Sequence, residues 1–339
     1  MRRRRFLALG AGIAALSAGG TLLSGCSAPA ALPRVSLLSP GSGEPQWAAI
    51  AHALAHALPA EGLARRVEVV LPVGRPEEVV RRVLTAAPGR PGELRWLIIG
   101  LRVLAGLEAE GEGALLATAA PLARLVGERE VLVVPASSRL RDFAAFADAL
   151  RRTPDGLRVA GGPAGGAEHL LFGMIAQGIG VDARRIYYAA HASAREAAAA
   201  VLDGRAAAAI GPLRQWRRRL AARDARALAV SSADPVAGLE APSLRECGVR
   251  VDYSDWCGLI GPAGAVGGEL AAEVCDRLGG APAWERACRA AGWNMIHLAG
   301  DEFRRWLTAE SARVRTVLRD LGLLKHPNTI CWGSCESGP

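Results

Sequence analysis

From Arg34 onward, short apolar runs of strand length alternate with stretches of helical periodicity, and that alternation restricts the chain to an α/β fold. Residues 34–39 and 66–71 read as strands around a helix over 46–58, in which Trp47, Ile50, Ala51, Leu54 and Leu58 share one face. Residues 96–100 are a third, short buried strand. The βαβ order implies a parallel sheet covered by helices on both faces. A second block opens with a strand at 130–135 and a helix over 140–152. Strands at 157–161, 186–190, 206–211 and 227–231 then alternate with helices over 166–178, 193–203 and 212–222. From Trp256 the chain returns with a strand at 259–261, two helices and a closing helix opened by Gly300 and Asp301. Phe303, Trp306, Leu307, Val314, Val317, Leu318 and Leu321 form the apolar stripe of that last helix, which is expected to pack back on the first block.

The expected architecture is two α/β lobes joined by strands that cross twice, with a ligand cleft between them. Residues 34–132 and 255–325 make lobe 1, 133–254 lobe 2, and 326–339 a C-terminal tail. In open α/β sheets ligands sit beyond the carboxyl ends of the strands, which here means the cleft.

Residues 1–26 stand apart from this pattern. Arg2, Arg3, Arg4 and Arg5 precede Phe6-Leu7, an Ala/Gly/Leu-rich run follows, and the segment ends in Leu23-Ser24-Gly25-Cys26. That is a charged region, an apolar region and a cleavage box, so the segment is an address rather than part of the fold. Arg3 to Leu7 resembles a twin-arginine export signal, and Leu23 to Cys26 resembles a bacterial lipobox. The reading is a lipoprotein anchored by acyl chains on Cys26, with 27–33 as tether, in the periplasm or at the cell surface. An uncleaved span over 6–23 is the alternative, although its Gly and Ala content dilutes the hydrophobicity. Either arrangement puts the remaining chain outside the cytoplasm.

The formal charge of +8 includes four arginines and no acid in residues 1–25, so the remainder carries +4. Lys325 is the only lysine, and the balance gives no nucleic-acid footprint. Beyond Cys26 the cysteines are Cys247, Cys257, Cys275, Cys288, Cys331 and Cys335, which in an oxidising compartment permit up to three disulfides. Cys275 and Cys288, on two successive helices, are the most plausible pair. Cys331 and Cys335 suit a local loop disulfide or two free thiols better than a metal, since only His326 is near. His52 and His56 share a helical face at a spacing that can bind metal, but no third ligand is in view. No metal and no cofactor are expected.

Two glycine-rich loops lie where the cleft would be. Pro40, Gly41, Ser42, Gly43 and Gln46 belong to the turn from the first strand into the first helix, with Pro45 suited to the first helical turn. Gly162, Ala164, Gly165, Gly166, Ala167, Glu168 and His169 belong to the corresponding turn of the second block. Backbone N–H groups at two such helix starts, one from each lobe, form a clamp for a carboxylate. Tight reversal of the chain explains the same glycines without any ligand. Neither loop has the lysine of a phosphate loop or the spacing of a dinucleotide fingerprint. Arg102, Arg195 and Arg214 follow strands and suit bidentate carboxylate binding, or else are ordinary solvated arginines.

Leu122 to Glu128, the loop from Gly161 to His169, Gly211, the segment Arg226 to Ser232, Pro242 to Glu246, Trp256, Gly258 and Gly292-Trp293 occur in an order and spacing that resemble the solute-binding proteins of tripartite tricarboxylate transporters. The resemblance runs from about Val35 to Leu324. It implies a two-lobed periplasmic binding protein of type II topology. Such a protein captures a tricarboxylate or dicarboxylate by lobe closure and delivers it to a large and a small membrane permease subunit. It also implies a monomer that catalyses no reaction.

This chain departs from the family's pattern at several places. Pro45 stands where Asp is usual, Pro163, Ala167 and Glu168 replace Ser, Thr and Asp, Ala120 replaces a common Thr, and Cys257 an Arg. These changes remove side-chain donors and leave backbone N–H groups, which shifts specificity away from citrate. A carboxylate sensor acting with a signalling receptor would need the same lobe closure. An extracytoplasmic hydrolase is the remote alternative, since there is no Gly-x-Ser-x-Gly elbow and the six histidines are scattered.

Overall fold

A computed structural model describes residues 31–40, 45–86, 93–263 and 268–325. The leader with Cys26, the start of the tether, Gly41, Ser42 and Gly43 of the first loop, and the tail with His326, Cys331 and Cys335 lie outside the described residues. The first block comprises β1 (Arg34–Leu38), α1 (Pro45–Ala60), β2 (Val67–Val70), α2 (Pro76–Thr85), β3 (Glu93–Gly100), α3 (Leu101–Ala109), the single turn α4 (Ala114–Ala117) and β4 (Ala120–Glu128). The second comprises β5 (Glu130–Pro135), α5 (Phe143–Arg152), β6 (Val159–Gly161), α6 (Ala167–Gly178), β7 (Tyr188–Ala190), α7 (Ala194–Leu202), β8 (Ala208–Pro212), α8 (Leu213–Ala221) and β9 (Ala225–Val230). Then follow β10 (Asp255–Gly261), α9 (Gly268–Leu278), α10 (Pro282–Ala291), β11 (Asn294–Ala299) and α11 (Gly300–Asp320).

Local chemistry sets the helix ends. Asp142 accepts from the Ala145 N–H at 2.8 Å to open α5. Ser193 accepts from the Glu196 N–H at 3.3 Å while Glu196 accepts from the Ala192 N–H at 3.2 Å, a reciprocal cap at the start of α7. Pro76 and Pro282 occupy first turns, and Gly292, with φ of 71°, closes α10 in the left-handed conformation.

The strands form two sheets, β11-β4-β10-β3-β1-β2 and β7-β6-β8-β5-β9. β1 runs parallel to β2 and β3, and β6 parallel to β7 and β8. β10 is antiparallel to β3, and β5 antiparallel to β8. The strands β2-β1-β3-β10-β4 and β7-β6-β8-β5-β9 therefore share one order: second, first and third parallel strands, then a strand received from the other block, then one of the block's own, with β11 added at the edge of the first sheet. Asp255 pairs with Glu128 and Cys257 with Gly100, so β10 begins where β3 and β4 end. Glu130 pairs with Pro212 and Val131 with Val230, so β5 begins where β8 and β9 end. The carboxyl ends of both parallel sets thus face the edge at which the chain crosses, which is what creates a cleft.

Several elements differ from the sequence reading. α2, α3, β4 and β11 were not expected. β4 carries Arg124, which lies 4.3 Å from the Trp306 ring and donates to the Ile296 carbonyl at 2.8 Å. Residues 130–132, read as the end of lobe 1, pair with the second sheet. The expected disulfide between Cys275 and Cys288 is not formed: both are free and buried, on α9 and α10, as is Cys257 in β10. Those thiols pack as small apolar groups inside the core.

The closing helix does pack on lobe 1, against α3 and β4, and it also reaches α6 of lobe 2. Fully buried Phe303 and half-buried Trp306 meet Trp256, whose indole N–H donates to Glu310 at 3.2 Å. Arg313 pairs with Glu310 at 2.7 Å and stacks 5.3 Å from the Tyr253 ring. One hydrophobic core runs through both sheets, from Leu37 and Trp96 to Leu132, Phe172 and Leu318.

At the crossing, the buried Ser231 hydroxyl accepts from the Glu130 N–H at 2.9 Å and donates to the Tyr253 carbonyl at 2.7 Å. Ser231→Ala strands the buried Glu130 N–H, so a loss of about 1–3 kcal/mol is expected from the urea midpoint. An unchanged midpoint would show that this bridge contributes nothing net.

Candidate functional site

The topology fixes which loops face each other. β1 lies two strands from the crossing strand β10, and β6 lies two strands from the crossing strand β5. The turn after β1, with Ser39, Pro40 and the start of α1, and the turn from Gly161 to Gly166 are therefore at equal depth in the cleft. By the same count the turn after β3, with Arg102, faces the turn after β8, with Gly211 and Arg214, nearest the crossing. The turn after β2, residues 71–75, faces 191–193 after β7 at the mouth, where exposed Arg195 stands on the first turn of α7.

In the first loop, Gln46 is half-buried and the Ser39 hydroxyl is buried without a hydrogen-bond partner. A methyl on Gly100, at the end of β3, would stand 2.8 Å from the Trp256 carbonyl and 2.9 Å from the Trp47 ring. Glycine there is what lets Trp47 of α1 pack against the end of β3 within the core.

The second loop is largely self-satisfied. The Gly165 N–H donates to His169 Nδ1 at 3.1 Å, and the Gly166 N–H to the Pro163 carbonyl at 3.0 Å. Burial lowers the His169 pKa to about 4, so the ring is neutral near pH 7, as its acceptor role requires. His169 stacks on Tyr188 at 4.0 Å, and the Tyr188 hydroxyl donates to the Gly162 carbonyl at 2.9 Å. A methyl on Gly162 would stand 2.9 Å from both carboxylate oxygens of Glu168. Gly161 is thus required by packing against Tyr188 and the Glu168 Cβ, whereas at Gly162 the Glu168 carboxylate would have to shift. Pro163 and Ala164 are exposed at the tip of the loop. Ala167, Glu168 and His169 supply the backbone N–H groups that precede the first helical hydrogen bond of α6, the donors a carboxylate would meet.

Arg214 is engaged with Glu128, its Nε 3.2 Å from Oε1, and that carboxylate is only 7% exposed. Glu130, Glu168 and Asp255 lie close to the same crossing. Burial first, then the Glu168 carboxylate, then Asp255 and Glu128, push the Glu130 carboxyl well above the usual carboxylate range. Glu130 Oε2 is buried without a hydrogen-bond partner. The acids at 128, 130 and 255 and Tyr188 were missed at the sequence level, where the readable signal was an acid on either side of Arg129 within apolar strands. A cavity of about 610 Å³ lined by Leu213, Arg217, Arg226 and Leu239 lies elsewhere, reaching Ala136 and Ala225 at the edge of the second sheet opposite the crossing. Among the described residues no group of three metal-ligating side chains assembles around His52 and His56.

A family model for the tripartite tricarboxylate transporter family receptor matches residues 115–323. A UPF0065 protein from a Pseudomonas species is 32% identical over 140 residues, 40% of each chain. A TctC solute-binding protein from Polaromonas, crystallised without ligand, superposes with a TM-score of 0.70 at 18% identity, covering 85% of this chain and 99% of that one. A Rhodopseudomonas palustris protein with adipate gives 0.64 at 20% identity, covering 86% and 97%. MatC of the same species with bound malate gives 0.59 at 17%, covering 86% and 99%. These structures share the two-lobed α/β fold.

The raised Glu130 carboxyl carries a pH signature. The unfolded chain ionises this group from about pH 4.5, while the folded chain keeps the proton, so this contribution to stability is lost as pH rises toward the folded value. Glu130→Gln is expected to gain in stability on the wild type as pH rises above about 4.5, read as urea midpoints that diverge with pH. Parallel stability curves in urea would show that Glu130 ionises freely.

Proposed function

The chain belongs to the tripartite tricarboxylate transporter receptor family, and from that premise we propose that it captures a small carboxylate between its lobes and presents it to a membrane permease. The observation that supports this most directly is the equal depth of the β1 and β6 turns on opposite sides of the cleft. Each turn opens a helix of more than two turns whose first N–H groups lie at the carboxyl end of a parallel strand. A carboxylate between them receives donors from both lobes only when the cleft is narrow. Binding and closure are then one event, driven by the difference in affinity for the two forms. Residues 34–129 and 255–325 would move as one lobe and 130–254 as the other.

The receptor role requires no covalent chemistry from the cleft. Glu168, Glu130 and His169 shape the loop and the floor, and the backbone supplies the contacts. The leader places the protein outside the cytoplasm, with Cys26 as the lipid anchor. A large and a small permease subunit would take the ligand at the membrane.

The test uses residues 27–339 with mono-, di- and tricarboxylates, amino acids and sugars. A cognate carboxylate is expected to raise the melting temperature and reduce the radius of gyration in solution scattering. Ala164→Trp, at the exposed tip of the second loop, should lower affinity at least about tenfold while leaving the ligand-free melting temperature unchanged, because the tip is free of the packing that fixes its neighbours. Binding without compaction, or full affinity in Ala164→Trp, would remove the loop clamp as the mechanism.

A further inference from the structure

We propose that the second lobe carries a binding site outside the cleft, for an organic anion with an apolar body. The site is the cavity of about 610 Å³ beside β9, a volume within the roughly 300–1,000 Å³ of small-ligand sites. It goes beyond the receptor reading and does not depend on what fills the cleft.

The walls supply the apolar surface. β9 is the edge strand of its sheet, and its Ala225 and Ala227 offer only methyl groups to the apolar cluster that also holds Leu213. Leu213, Arg217 and Leu220 fall on one face of α8, at i, i+4 and i+7, and line the cavity together. A further wall is the turn at 236–239, in which Gly238 has φ of 74° and the Leu239 N–H donates to the Val236 carbonyl at 3.0 Å, bringing Leu239 against the same cluster. Leu213, Ala225 and Ala227 are 5%, 5% and 8% exposed. A chain that enters the cavity reaches such recessed groups, whereas a flat surface laid across it does not.

The charge around the cavity is positive. Residues 213–226 hold six arginines and one acid, Asp224. Two of those arginines are committed elsewhere: Arg214 pairs with Glu128, and Arg226 donates to the Ser138 and Leu140 carbonyls at 3.0 and 3.3 Å. Arg217 and Arg223 line the cavity, are exposed, and have no side-chain hydrogen bond or ion pair among the described residues. Glu240 is the one acid on the lining, so the two guanidiniums leave a positive balance for the head of an anion.

Exposed arginines are the ordinary case, but the backbone at Arg223 is not. It has φ of 60°, the one non-glycine in the left-handed region among the described residues. The Arg223 N–H donates to the Leu220 carbonyl at 3.1 Å and the Asp224 N–H to the Arg219 carbonyl at 2.9 Å, which are the bonds of a helix end where glycine is the residue free of strain. An arginine in that position costs backbone strain, and what it supplies that glycine would not is a guanidinium at the cavity.

Isothermal titration of residues 27–339 with octanoate, acetate and octanol, with stability followed in urea, tests the site. Octanoate is expected to bind at least about tenfold tighter than acetate, which lacks the body, and than octanol, which lacks the charge. Arg223→Gly should weaken octanoate at least about tenfold while its urea midpoint stays level or rises, because the strain is relieved. Arg217→Gln should weaken octanoate likewise, and Ala164→Trp, at the cleft, should not. No heat from octanoate, octanol binding as tightly as octanoate, or full affinity in both arginine variants would overturn the site. Loss of octanoate binding in Ala164→Trp would overturn it by placing octanoate in the cleft. Phosphatidylglycerol vesicles that bind through the same arginines, with free octanoate silent, would overturn it by making those arginines a membrane contact.

Discussion

The Ser231 hydroxyl ties the two crossing segments of the chain together at the end of the second block. It is fully buried, it satisfies the Glu130 N–H on the outgoing strand, and it binds the Tyr253 carbonyl on the returning one. The Tyr253 N–H donates back to the Ser231 carbonyl at 2.9 Å, and the Ser231 N–H to the Glu130 carbonyl at 2.9 Å. A hydroxyl can serve both directions because it donates one bond and accepts others. Both crossings of the chain are thereby tied at one point, and the register of β5 and β9 fixes where Glu130 must lie. Placing a carboxyl there without a countercharge is costly in its ionised form, which is why it keeps its proton.

The same knot sets the chemistry of the cleft. Tyr253 continues from it and donates its hydroxyl to the Ala167 carbonyl at 2.6 Å, so the first turn of α6 is fixed to the crossing. That turn carries Glu168 and His169, and through them the glycine loop is held by Tyr188 and by the Gly165 N–H. A flexible glycine loop would have to be ordered by its ligand at an entropic cost; this one is ordered in advance. The cost appears instead as donors used up within the loop, which limits what a ligand can be offered.

The alternation of strands and helices was legible because most strands are apolar runs and most helices carry one apolar face. β11 was not, since all six of its residues are half-buried and no alternation results at the edge of the sheet. β4 was not, because Arg124 interrupts it and is accommodated by the Trp306 ring rather than by solvent. The glycine loops were legible as turns, but the reason for Gly161 and Gly162 was not: it lies in Tyr188 and Glu168, and Tyr188 is twenty-six residues from Gly162. Glu128 and Glu130 carried no sequence signal of burial, because acids flanking an arginine are ordinarily solvated. Only the pairing of Glu130 with Pro212, and of Asp255 with Glu128, turns them inward together. Cys275 and Cys288 looked like partners by spacing, yet spacing on two helices does not fix the direction of the side chains.

The closing helix decides how the lobes can move. α11 is anchored on lobe 1 by Phe303 and Trp306 against Trp256, and on lobe 2 by the Gln177 amide, which donates to Asp320 at 2.6 Å, by Arg313 near the Met174 sulfur, and by Leu321 against Gly173. With the two crossings tied at Ser231 and this strap beside them, any relative rotation must pivot about that side of the molecule. Displacement grows with distance from the pivot, so the deep Arg102 and Arg214 ends stay nearly fixed while the β2 and β7 turns travel furthest. Under the proposed closure, the turns after β2 and β7 are therefore the ones that would move onto a ligand, and those after β3 and β8 the ones that would hold nearly still.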